Sequence, residues 1–288
     1  MKKKYKQSFF ISAIFLSIIV LLLYFYFSQN KENTLEVNFL DVGQGDAILI
    51  KTISGQNILI DGGEDEKIIK RLSEELSWWD KKIDLIILTH PHSDHVGGLV
   101  DVLKRYEVLK VLYTGAIHNS PDYLAWLELI KEKSISLSII NHSQKILLGD
   151  DCSLEILYPI SQDNISGQAN LNNTSIVSRL DYRQTSFLFM GDAEKEVEEI
   201  LLKIEAGKLK TDVLKIGHHG SDSSSLLGFL EIVDPVYAVI EVGKDNRFDH
   251  PSPRIIKRLE RLGIKTFRTD MDGNIKFVSN GVNLWPSQ

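Results

Sequence analysis

The stretch Leu85-Ile-Ile-Leu-Thr-His-Pro-His-Ser-Asp-His-Val-Gly-Gly-Leu99 limits what this chain can fold into more than any other. Leu85 to Leu88 form an apolar run that reads as a buried strand, and it stops at a polar loop carrying three histidines and an aspartate. Pro91 biases His90 toward an extended backbone, so His90 and His92 project the same way and can share one cation. The apolar spacing Val96, Leu99, Val100, Leu103 starts a helix, which places Asp94 and His95 at its first turn, facing a second cation. Two ions held this way would lie about 3.5–4 Å apart and share a bridging hydroxide. Gly97 and Gly98 leave that turn bare and are expected to let the helix start approach the ions. The ordinary alternative is a solvated histidine-rich turn; the spacing and the flanking strand and helix favour a metal loop.

Residues 9–27 form an uncharged apolar run that, as a helix, would be roughly 28 Å long, a match to a hydrocarbon core of ~30 Å. Lys2, Lys3, Lys4 and Lys6 precede it, so the positive-inside tendency places residues 1–8 in the cytoplasm and everything after the run outside. The expectation is a single-pass anchor in the cell membrane, with an extracellular domain and the bilayer as a partner through residues 9–27. A cleaved signal peptide fits less well, because the run is long and no small-residue cleavage site follows it. Residues 28–35 then read as a short polar linker and residues 36–288 as the globular domain.

Cys152 is the only cysteine, which excludes an internal disulfide and a thiolate zinc cluster, so any metal must be held by histidine and carboxylate. Removing the four amino-terminal lysines from the formal charge of −6 leaves −10 for the remainder. A general nucleic-acid binder is disfavoured by that balance, although bound cations or local patches could reverse the sign at a cleft.

Further along, Val37-Asn-Phe39 alternates as a strand, Asp41-Val-Gly-Gln-Gly-Asp46 interrupts it, and strands Ala47 to Ile50 and Asn57 to Ile60 follow, the latter ending in Asp61-Gly-Gly63. From the residues alone Asp41, Asp46 and Asp61 are turn residues. The strings F-L-D-V-G-Q-G-D-A, I-D-G-G and H-x-H-x-D-H together resemble the metallo-β-lactamase fold superfamily, and within it the β-lactamase-like domain of the ComEC/Rec2 competence proteins, from about Glu36 to the carboxyl end. That resemblance implies an α/β fold, an αββα sandwich here preceded by one transmembrane helix, with Asp61 supporting the metal loop.

The second half repeats the rhythm of strands ending in polar residues: Phe187 to Met190 before Gly191-Asp192, Asp212 to Ile216 before Gly217-His-His-Gly220, and Val236 to Val242 ahead of Asp249-His250-Pro251. By resemblance the metal ligands are His90, His92, Asp94, His95, Asp192 and His219, holding one or two ions of Zn²⁺ or Mn²⁺, with Asp192 bridging. On the residues alone Asp192 reads equally as a helix cap. His219 is assigned to the second ion and His218 to substrate oxygens, with the reverse assignment open. Asp94 would orient or deprotonate the attacking water, and His250 either stabilises charge on a phosphate or is a turn residue. Lys215 and Arg247 are candidates to bind an anion, His118 and His142 read as surface residues, and Pro159 to Asn173 as a surface loop. No histidine lies in 168–175, where the wider superfamily carries one; Asn170, Asn172 and Asn173 stand there instead, which favours harder ions such as Mn²⁺.

These readings imply a metal-dependent hydrolase, a phosphodiesterase using a metal-activated hydroxide on a phosphoester; the resemblance suggests single-stranded DNA, while the acidic domain beside the envelope suits a smaller phosphoester such as a phosphocholine-like wall substituent. No protein partner can be inferred. The competing reading is a non-catalytic, metal-stabilised binding module of DNA uptake or the cell envelope.

Overall fold

The computed structural model describes residues 14–22 and 34–287. Residues 14–22 are helical with exposed side chains, and the rest of the apolar run lies outside the described residues. No helix among the described residues is long and apolar enough to cross a membrane. Residues 34–288 form a separate unit, described by itself below.

Short apolar runs give that unit two large sheets, with a two-stranded pair, Lys82–Ile83 and Glu107–Val108, besides. The first has eight strands in the spatial order Leu284–Ser287, Ile275–Ser279, Leu35–Phe39, Ile48–Lys51, Asn57–Ile60, Leu85–Ile87, Lys110–Tyr113 and Ser136–Ile139. The second has seven: Lys265–Arg268, Tyr237–Ile240, Val213–Lys215, Thr185–Phe189, Val177–Tyr182, Cys152–Tyr158 and Gln144–Gly149. Val37, Phe39, Ile48 and Ile60 of the first sheet meet Leu154, Phe187, Phe189 and Val213 of the second in a core with no solvent access. Helices Lys67–Glu75, Ser93–Arg105 and Pro121–Glu132 cover the outer face of the first sheet through Leu72, Leu99, Val102 and Trp126. Helices Lys195–Ile204, Leu227–Val233 and Pro253–Arg261 cover the second through Val197, Leu201, Phe229 and Leu259. The order helix, sheet, sheet, helix is the expected sandwich.

Parallel pairing decides where the chemistry collects. Asn57–Ile60, Leu85–Ile87 and Lys110–Tyr113 are parallel neighbours, as are Thr185–Phe189, Val213–Lys215 and Tyr237–Ile240, and each crossover runs through a helix. Their carboxyl ends therefore share one edge, where Asp61, His90, Asp192, His219 and Glu241 follow the strands.

Two local readings need correction. Gly97 and Gly98 serve packing and do not bring the helix toward an ion: a Cβ on Gly98 would stand 2.0 Å from Gly62 O, and one on Gly97 2.1 Å from Glu64 O. The helix start is thereby pressed against the Asp61-Gly-Gly turn. The segment Pro159 to Asn173 is a surface loop only in part, because its last residues, Asn172 and Asn173, are buried at the site.

Candidate metal centre

The loop after Leu85–Ile87 is held from behind. Asp61 accepts from Thr89 N at 2.8 Å, from Thr89 Oγ1 at 2.6 Å and from His95 Nδ1 at 2.8 Å. Asp61, which reads on its residues alone as a turn aspartate, is thus the support that the resemblance implies. The Gly43-Gln-Gly45 turn closes the other side, and a Cβ on Gly45 would sit 1.9 Å from Asp94 O, so backbone touches backbone there.

Four imidazole nitrogens converge on one oxygen. Asp192 Oδ2 lies 3.3 Å from His95 Nε2, 3.5 Å from His219 Nε2, 3.7 Å from His90 Nε2 and 4.0 Å from His218 Nε2. Asp94 faces the same point, with Oδ2 3.4 Å from His219 Nε2 and Oδ1 4.0 Å from His95 Nε2. His90 Nε2 and His92 Nδ1 stand 3.0 Å apart, close to the ~3.3 Å that separates two nitrogens on one tetrahedral zinc. The residues of the metal loop thus meet Asp192 and His219, contributed by the opposite sheet.

The far side of each ring is fixed. His219 Nδ1 donates to Glu241 O at 2.8 Å and His95 Nδ1 to Asp61, so both present Nε2 to the centre. His218 and His219 both have positive φ, 47° and 52°, a strained pair that splays adjacent imidazoles around Asp192. His218 is the less buried of the two, and its Nδ1 lies 3.1 Å from Glu194 Oε1 and 3.0 Å from Ser223 Oγ.

Electrostatics divide the histidines. Burial, reinforced by neighbouring His95, holds His90 well below the ordinary histidine pKa, and burial lowers His92 as well, so both are neutral lone-pair donors. Burial also opposes charge on His95 and His219, yet Asp192 and the other carboxylates, Asp61 and Asp94 for His95 and Asp46 for His219, raise both well above that value. Asp192 is correspondingly held well below the carboxylate range, the two imidazoliums outweighing its burial. Protons on His95 and His219 supply the positive charge that the carboxylates require.

The donor set fits divalent cations. His95 Nε2, His219 Nε2 and Asp192 Oδ1 are buried and have no hydrogen-bond partner, an expensive state for groups pointed at one another. Asp94, His95, Asp192 and His219 can offer ligand atoms all within 4.8 Å of one another, the arrangement of a single cation site. His90 and His92 offer two further nitrogens beside Asp192, enough to begin a second site.

Above this floor opens a cavity of ≈ 660 Å³, lined by His92, Asp94, His118, Asn172, His218 and His250 and rimmed by Lys67, Lys244, Arg247 and Phe248. His250 stands against His218, ring centroids 5.5 Å apart, so it faces the cleft. His118 is not a plain surface residue: it is half-buried with its ring 5.8 Å from that of His92. Lys215 is unsuited to bind an anion, because it is buried and its Nζ is taken by Asp46 and by Gly191 O at 2.9 Å. Arg247 is exposed on the rim, over the Phe248 ring, and His142 is exposed away from the cavity.

Asp46, Glu194 and Glu241 escape a reading from sequence. Asp46 binds Lys215 and stands 3.3 Å from His219 Nδ1, and Glu241 accepts from Ala47 N at 2.9 Å. Asp46 is flagged only by its place beside glycine, and Glu194 and Glu241 by nothing in their neighbourhoods.

Comparison with known proteins gives the family and the fold. The chain is 28% identical to ComE operon protein 3 of Bacillus subtilis over 90% of its length and 30% identical to competence protein ComA of Neisseria gonorrhoeae over 85%. It covers 34% and 32% of those proteins, so it spans about a third of the curated relatives it matches. Among solved structures, the diiron β-hydroxylase CmlA of Streptomyces venezuelae shares the fold at 14% identity and a TM-score of 0.53, over 83% of this chain and 53% of that one. Zn²⁺-bound PqqB of Methylobacterium extorquens does so at 12% and 0.51, over 80% and 87%. Residues 40–243, which contain every side chain placed at the floor of the site, match the family model described as the metallo-β-lactamase superfamily, and the chain belongs to that family.

Proposed function

We propose that the protein is a metal-dependent phosphodiesterase held at the outer face of the cell membrane by residues 9–27. The observation that carries the catalytic part is the convergence of His90, His95, His218 and His219 on Asp192 Oδ2 at the floor of an open cavity. A purely structural site would close its coordination and leave no room for solvent or substrate.

Bound divalent cations would supply the activation of a water molecule and the neutralisation of charge on a phosphoryl oxygen. The chain's own residues supply the rest. Burial raises the Asp94 pKa, but His95 and His219 outweigh it and hold the carboxyl far below its usual range, so Asp94 orients the attacking water by accepting its hydrogen bond. His218, held through Nδ1 by Glu194 and Ser223, turns Nε2 toward Asp192 and the reacting group. His250 beside it completes the wall against which a phosphate would sit.

DNA is the favoured substrate. Two relatives carry competence names, ComE operon protein 3 and competence protein ComA. The cavity is lined by Lys67, Lys244 and Arg247 along with Glu64 and Asp245, and Arg247 lies over the exposed Phe248, a cation for a phosphate beside a ring for a base. Titrating the protein with Mn²⁺ and with Zn²⁺, and assaying bis-p-nitrophenyl phosphate and single-stranded DNA, tests the proposal. Turnover that disappears in His92→Ala and Asp192→Asn supports it, and metal uptake with no ester cleaved would assign the centre to a binding module.

A further inference from the structure

The end of the first sheet opposite the metal centre carries a feature the catalytic reading does not use. Trp78 and Trp79 are 81% and 69% exposed, with ring centroids 5.4 Å apart in an edge-to-face pair. The loop bearing them is pinned on both sides: Leu76 is buried in the helical core, and Asp80 accepts from Asn57 Nδ2 at 3.0 Å while its own N–H donates to Ser77 O at 2.8 Å. Two large aromatic rings are thus presented to solvent from a braced turn, where nothing in the domain repays their exposure.

Register fixes which end of the sheet this is. Asn57 begins the strand Asn57–Ile60 that leads into Asp61, and Lys51, its pairing partner, is opposite Glu36. The chain comes into this unit at Thr34, so the strand Leu35–Phe39 starts at the same end as the tryptophan loop and runs toward the site. Seven residues, 28–34, separate Phe27 from that strand, a span of at most ~25 Å when extended.

Exposed charges of both signs flank the loop. Lys81, Lys82, Lys110 and Lys133 are exposed, and Leu109 adds apolar surface beside them. Asp84 faces inward to Asn57 N at 2.9 Å and pairs with Lys82, and Glu74, Glu107 and Glu132 are exposed acids at the same end.

We infer that Trp78 and Trp79 dip into the interfacial layer of a bilayer, with the exposed lysines beside them at the level of the headgroups. Indole rings, apolar in body with one polar N–H, partition to that layer, and lysines near an anionic surface add attraction. The inference rests on residues 9–27 being a bilayer anchor.

The test uses the full chain with vesicles of phosphatidylcholine and phosphatidylglycerol whose acyl chains carry bromine, a contact quencher of indole fluorescence. The run 9–27 holds no tryptophan and Trp126 is buried, so the signal reports on Trp78, Trp79 and Trp285. The expected result is co-flotation with quenched, blue-shifted emission; a double variant, Trp78→Ser with Trp79→Ser, co-floats but loses most of the quenching, and Trp285→Phe keeps it. Emission from co-floating protein that bromine leaves untouched overturns the inference while sparing the anchor. Failure to co-float removes the anchor and the inference with it. A concentration-dependent sedimentation shift that the double variant abolishes, with no quenching, assigns the pair to a second copy of the chain and also overturns it.

Discussion

Asp61 uses a single carboxylate oxygen, Oδ2, to accept both the Thr89 hydroxyl at 2.6 Å and His95 Nδ1 at 2.8 Å. The loop backbone and the ligand ring are therefore set by one buried group. Asp61→Asn would turn an acceptor into a donor for one of these partners and free the His95 ring to rotate. We expect metal affinity to fall by about 10–100-fold, measured by competition with a chromophoric chelator, with far-UV circular dichroism unchanged. Wild-type affinity in the variant would show that Asp61 does not position the ligand.

Metal uptake should expel protons. His95 and His219 have pKa values raised well above the ordinary histidine value and hold protons below them, whereas a cation needs their lone pairs. Affinity should therefore climb as pH rises, by about tenfold per pH unit for each proton displaced. Calorimetry in buffers of different ionisation enthalpy counts those protons directly. A binding constant flat from acid to neutral pH would contradict the assignment of charge in the cluster.

Lys215 and Asp46 form an ion pair with almost no solvent access, and Lys215 also donates to Gly191 O. Burial opposes the lysine's charge, but Asp46 and Asp192 raise its pKa. Lys215→Met would strand Asp46 as a buried anion and should cost about 3–5 kcal/mol of stability, read from urea unfolding. Lys215→Met with Asp46→Leu should recover part of that loss while still impairing metal binding, because Asp46 also lies 3.3 Å from His219 Nδ1.

Phe248 is half exposed on the cavity rim, its ring stacked 5.8 Å from His250 and lying under Arg247. If a base rests on it, Phe248→Ala should weaken single-stranded DNA by about 1–3 kcal/mol, roughly 5- to 150-fold in KM, with kcat and metal uptake near wild type. Steady-state kinetics on an oligonucleotide separate the two constants. An unchanged KM would remove Phe248 from the substrate path.

The sandwich was legible because its strands are short apolar runs that end in Gly, Asp and His, and because a histidine string at fixed spacing can be read without knowing what lies opposite. Asp192 and His219 could be named only through the resemblance, since on its residues alone Asp192 reads equally as a helix cap and the two histidines after Ile216 are interchangeable. Glu241 and Glu194 could not, since their importance comes from residues far along the chain, Ala47 and His219 for one and His218 and Asn172 for the other. Lys215 looked like an anion binder for the same reason: only the register between strands reveals that Asp46 consumes its charge. The glycines after His95 suggest a bare helix start that approaches the ions, whereas the room they leave is filled by backbone from Gly62 and Glu64.

The donors belong to two distant portions of the sequence, four within residues 90–95 and the others at 192 and beyond. A nascent chain that has reached only Lys110–Tyr113 owns the donors of residues 90–95, and the segment from Thr185 onward owns the rest. Strong ion capture must wait until the two faces close on each other, so the cation acts as a late latch: it reports that both halves have docked and, once seated, resists their separation.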